Sequence, residues 1–106
     1  MAKYMLHASY TAEGVKGLLK EGGTSRRKLL EKLVKGLGGK LEAFYFAFGE
    51  TDVVLVVDLP DHASVAALSL TTGGSGAVSV RTTVLITPEE IDEATKKSVA
   101  YRAPGA

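Results

Sequence analysis

No cysteine and no tryptophan occur among the 106 residues, and only two histidines and three prolines. Without cysteine there are no disulfides, thiolate nucleophiles or iron–sulfur clusters, and the usual zinc sites are gone. His7 and His62 leave little for any other metal centre. No long apolar run is present, whereas about 20 residues are needed to span a bilayer, so no membrane partner is expected. Met1–His7 lacks the apolar core of a secretory leader, and the expected location is cytoplasmic. Cofactor and nucleophile motifs are missing as well. There is no Gly-x-x-x-x-Gly-Lys-[Ser/Thr], no His-x-x-x-His and no Ser-His-Asp spacing. Gly73-Gly74-Ser75-Gly76 leads into a strand pattern, not a helix, so it is no dinucleotide fingerprint. No cofactor is expected.

What is present is ordinary for one globular domain spanning 1–106: 45% hydrophobic and 24% charged residues. The net charge of +1 hides an asymmetry. Residues 1–40 hold nine Lys/Arg against three Glu, and residues 41–106 hold four Lys/Arg against nine Asp/Glu. A basic face can attract polyanions. The acidic second half would repel one, which weighs against nucleic acid as a partner. The simpler expectation is that basic and acidic elements pair, within or between subunits.

Period-two and period-3.6 patterns alternate along the chain. Lys3–Tyr10 reads as a strand, with Tyr4, Leu6, Ala8 and Tyr10 on one face. Thr11 caps a short helix carrying Val15, Leu18 and Leu19, which Gly22-Gly23 interrupts. Ser25 is expected to cap a second helical piece, with Leu29, Leu30, Leu33, Val34 and Leu37 at helical spacing, stopped by Gly38-Gly39. Lys40–Phe48 is a second strand, with Phe44, Phe46 and Phe48 on one side and Leu41 and Tyr45 on the other. The turn 49–52 joins it to a third strand, Val53–Leu59. Asp61 caps a third helix with Val65, Ala66, Leu68 and Leu70 toward the core. Gly73-Gly74-Ser75-Gly76 reads as a flexible break. Val78–Ile86 is the fourth strand, and Thr87-Pro88-Glu89-Glu90 is a capping box that starts a last helix. The expected class is α+β: a ferredoxin-like βαββαβ with a four-stranded antiparallel sheet plus a C-terminal helix. Both sheet faces carry apolar residues, so the face away from the helices needs a cover, most simply a second copy packed sheet to sheet.

The chain resembles the GYD-domain family, a group of small bacterial proteins of largely unassigned function. The resemblance rests on Ala8–Gly14, on Gly38–Tyr45 and on Thr82–Glu90. Gly49 and Asp52 match the family's Gly-Tyr-Asp, with Glu50-Thr51 standing where the tyrosine would be. It implies a ferredoxin-like fold of the dimeric α/β-barrel kind. That wider group includes cofactor-free monooxygenases, isomerases, haem-handling enzymes and members without known chemistry, so fold alone does not assign a function.

Candidate catalytic residues are His7, Arg81 and Asp52. His7 is mid-strand, with Arg81 its expected cross-strand neighbour, and can act as a base near neutral pH. Its other role is a hydrogen-bonded histidine in a sheet–sheet interface. Asp52 is either an acid/base carboxylate at a cleft mouth or a cap on the amides of its own turn. Asp58 interrupts an apolar strand and calls for a cation, Arg81 or a lysine. His62 is expected to be exposed. Tyr4, Tyr10 and Tyr45 are candidate ligand-orienting phenols between sheet and helices, or core packing. Arg27, in the basic run Ser25-Arg26-Arg27-Lys28, is a candidate for an anion. Three functions fit: a self-associating binding or assembly protein, which the lack of any catalytic signature favours; a cofactor-independent enzyme, monooxygenase- or isomerase-like, acting on a small apolar or aromatic molecule; and an anion binder using the basic helix.

Overall fold

Side-chain caps set where the helices begin. The structure, a computed structural model, describes residues 1–106. Strand β1 (Ala2–Tyr10) ends at Thr11, whose Oγ1 accepts from the Gly14 amide and opens α1 (Ala12–Glu21). Helix α2 (Gly23–Gly36) starts two residues before Ser25, because Gly22 at φ 84° turns the chain directly into it. Strands β2 (Lys40–Phe46) and β3 (Val53–Leu59) follow. Asp61 caps α3 (His62–Gly74), accepting from the Ser64 amide at 2.8 Å and its hydroxyl at 2.7 Å. Strand β4 (Val78–Leu85) leads to α4 (Pro88–Thr95), where the Thr87/Glu90 capping box forms as expected.

The strands make one antiparallel sheet in the order β2-β3-β1-β4, with helices on one face: a ferredoxin-like α+β fold. Alternation sorts the faces. Tyr4 and Leu6 of β1 and Val53, Leu55, Val57 and Leu59 of β3 point at the helices, meeting Leu30 and Val34 of α2 and Val65 and Leu68 of α3. Burying each such aliphatic side chain is worth about 1.5–3 kcal/mol. The opposite, open face carries Lys3, Met5, His7 and Ser9 of β1, Val54, Val56 and Asp58 of β3, and Arg81, Thr83 and Leu85 of β4. No helix covers it.

Four sequence expectations change. The β2–β3 register shifts between Leu41 and Ala43. This bulge makes Glu42 an extra residue and flips the parity, so Leu41 and Phe44 share the helix side instead of opposing each other. The apolar stripe of α1 is not core: Leu19 is 82% exposed, because this helix rides at the end of the sheet. Ala66 and Leu70, also, face solvent. Helix α3 runs through Gly73-Gly74, and the chain turns only at Gly76, φ 80°.

Residues 88–106 are exposed throughout. They form an arm, and it dominates the dimensions. The radius of gyration is 17.0 Å, against about 13 Å for a compact chain of this length.

Gly39 has no room for a side chain: a Cβ there would sit 2.1 Å from the Asp58 carbonyl oxygen. Gly39→Ala is expected to cost about 1–3 kcal/mol, as over-packing does, and to lower the melting temperature by roughly 4–8 °C per kcal/mol. Thermal unfolding followed by circular dichroism checks this. Hydrogen bonds from the Ser64 hydroxyl and amide hold the Asp61 carboxyl below its ordinary value. A depressed folded-state value means that the capped helix start is fully supported above the unfolded value of 3.8 and loses that support as pH falls through the folded one. Hydrogen exchange at the first turn of α3 is therefore expected to accelerate, relative to the intrinsic rate, only below about pH 4.

Candidate functional site

Three cavities gather where β1 and β2 end and β3 begins. The largest is a groove of about 370 Å³ lined by Tyr10, Val15, Leu18, Gly23, Phe46, Ala47, Phe48 and Asp52. Beside it lies a cavity of about 250 Å³ with Gly23, Thr24, Arg27, Phe44 and Phe46 in its wall. Between sheet and helices sits a smaller one of about 40 Å³, walled by aliphatic residues with Tyr10, Phe44, Arg26 and Thr72. Shared residues join them: Phe44 borders the inner and middle cavities, Gly23 and Phe46 the middle cavity and the groove.

The local sequence explains the opening. Phe44 and Phe46 are two apart on the helix side and meet edge to face, with centroids 5.4 Å apart. Gly23 lets α2 start against them, since a Cβ there would come within 2.8 Å of the Phe46 ring. Val15 and Leu18 of α1 supply the facing wall, which is why that stripe is free of the core.

Asp52 holds the floor. Its carboxylate accepts from the Tyr10 amide at 2.8 Å, and its own amide donates to the Ala8 carbonyl at 2.9 Å. The Asp52 carbonyl accepts from the Ala47 amide at 2.8 Å. The cap is thus on the end of β1, not on the amides of its own turn, and it ties the 47–52 turn to the strand that carries Tyr10.

The other candidates scatter. Tyr4 is wholly buried and its hydroxyl pairs with His62 Nδ1 at 2.6 Å, the rings meeting edge to face. Exposed His62 therefore carries the partner of a core phenol, a link with no sequence signal at a separation of 58 residues. Tyr45 does not join Tyr4 and Tyr10. It pairs with Val54 on the open face and is 71% exposed, a placement set by the bulge. His7 stands directly opposite Arg81 on that same open face, away from the cavities. Asp58 takes Lys3 at 2.9 Å, and Lys3 also reaches Glu42 at 2.8 Å, so one ammonium spans three strands. Those bonds, Glu42 first, raise the Lys3 value above that of a free lysine. Arg27 pairs with Glu31 at 3.6 Å at the middle cavity's edge. Sequence reading placed Arg26 in the basic run that could take an anion, but did not single out Val15 or Leu18 as site residues. The available signal was an apolar α1 stripe beside a phenylalanine stripe that reads as core or subunit interface.

A family model for the GYD domain matches residues 4–95. The chain belongs to the GYD-domain family. No curated protein matches it. In this GYD domain Gly49 lies in the turn after β2, and Asp52 clamps that turn onto β1. The acidic start of α4 and the basic α2 do not meet within the GYD domain: no ion pair joins them.

Removing the Asp52 carboxylate leaves the Tyr10 amide without its acceptor. Asp52→Ala is expected to cost about 1–3 kcal/mol, and Asp52→Asn, which keeps an acceptor oxygen, clearly less. Urea denaturation of both variants measures the difference.

Proposed function

We propose that the protein works as a homo-oligomeric binding protein: two copies pair through their open sheet faces, and each takes a small apolar molecule in the groove of Tyr10, Phe46 and Phe48. The observation that carries this reading is the open face itself. Met5, Ala43, Val54 and Val56 form its apolar centre with no helix over them; Lys3, Glu42 and Asp58 stand at one end, in register with Leu85, and Arg81 stands on the β4 edge opposite His7. An apolar centre with a polar rim is the layout of a protein interface. His7 then lies in the subunit contact opposite Arg81, as a scaffold residue.

Area supports a role for the arm. From strand spacing and rise, the sheet face has a footprint of roughly 500 Å², whereas a standard interface takes about 800 Å² from each partner. The exposed arm, with Ile91, Val99 and Tyr101, supplies the remainder. Its acidic Glu89, Glu90, Asp92 and Glu93 complement Lys28, Lys32 and Lys35 of a neighbouring copy.

Binding is favoured over chemistry. Asp52 is the carboxylate in the groove wall, and it is committed to a backbone amide, while His7 and Arg81 lie on the other side of the sheet.

Native mass spectrometry at micromolar concentration is expected to find a dimer or a multiple of one. Val56→Lys, which places a charge at the centre of the face, is expected to yield folded monomer. Reversing Glu89, Glu90 and Glu93 to lysine is expected to weaken assembly more at low salt than at high salt. A stable wild-type monomer overturns the reading.

A further inference from the structure

Arg26 is a half-buried cation without a counter-ion. Four ion pairs form in the chain and Arg26 is in none of them. It borders the inner cavity, where nine of the eleven lining residues are hydrophobic. Of the other polar side chains there, Tyr10 and Thr72, the Thr72 hydroxyl is already spent on the Leu68 and Ser69 carbonyls. A guanidinium beside so much apolar surface forfeits part of its hydration and gains most from an anionic partner that brings its own apolar body.

The volumes fit such a partner. Each water-sized group needs about 10–15 Å³ of this kind of space, so the inner cavity, about 40 Å³, takes a group of about three heavy atoms. A carboxylate is such a group. The groove offers an anion no cation, its charged wall residue being Asp52, and it is large enough for a ring. Phe44 and Phe46 border the way from one to the other.

We infer that the ligand is an aromatic or short aliphatic carboxylate, its carboxylate held by Arg26 in the inner cavity and its apolar body lying along Phe44 and Phe46 into the groove. The inference rests on the groove-binding reading above and adds the chemical class. Arg27 is not the anchor, because it borders the middle cavity and not the inner one, with Glu31 3.6 Å away. A guanidinium–carboxylate pair outweighs a neutral hydrogen bond, so the acid is expected to bind at least tenfold more tightly than its alcohol.

The test compares 4-phenylbutyrate with 4-phenylbutan-1-ol by isothermal titration calorimetry, with amide chemical shifts locating each probe. Wild-type protein is expected to prefer the acid at least tenfold. Arg26→Gln is expected to abolish that preference by weakening the acid at least tenfold more than the alcohol. Arg26→Lys, which keeps the charge without the planar fork, is expected to keep part of it, and Lys28→Gln, a cation of the same helix that borders none of the three cavities, all of it. If the alcohol binds in the groove and the acid no more tightly, or if Arg26→Gln keeps the preference, the carboxylate assignment falls and groove binding stands. If neither probe binds the wild type, both readings fall.

Discussion

The central strand β1 is hydrogen-bonded along nearly its whole length to β3 on one side and β4 on the other. Because side chains alternate, that double pairing decides at once which residues enter the core and which stand on the open face. A slip of one residue would exchange Tyr4 and Leu6 for Met5 and His7 across the whole sheet. Tyr4 guards against it. Its ring is fully buried and its hydroxyl has a partner only when it points toward His62. On the other face Lys3, held by Asp58 and Glu42, marks the same register from outside. The groove inherits this order, since Tyr10, its inner wall, is the last residue of the same strand.

Much of this is legible in the sequence where the cause is local. The alternation of β1 and the continuous apolar run of β3 identify a central and a doubly faced strand. Thr11, Asp61 and Thr87 act as caps because the groups they bond lie three residues away. What escapes is caused by contacts distant in the chain. The bulge at Glu42 exists only because β2 must pair with β3, and a strict alternation read along β2 puts Leu41 on the wrong side. The stripe of α1 has the spacing of a core helix, yet it lines an opening, since spacing shows that residues share a face and not what the face meets. Arg26 and Arg27 are neighbours of identical chemistry; the helix turns one toward the inner cavity and the other toward Glu31, and no composition argument separates them.

The two surfaces proposed for function therefore have different origins. The open face follows from alternation, which by itself marks a face wanting a cover. The groove follows from packing defects at the sheet end: a glycine where α2 begins, two phenylalanines stacked edge to face, and a helix that does not reach the core. Asp52 makes that defect reproducible, because it fixes the turn to β1 through one side-chain and one main-chain hydrogen bond.

The bulge in β2 has a consequence for how copies of this chain can avoid one another. β2 is an edge strand, and a straight edge offers a row of unpaired amides and carbonyls to any other edge. An extra residue bends the strand and breaks the even spacing that a neighbour would have to match. At this edge the sheet is thereby discouraged from growing sideways into fibre-like stacks, whereas the β4 edge runs without a register shift from Val78 to Leu85 and has no such guard.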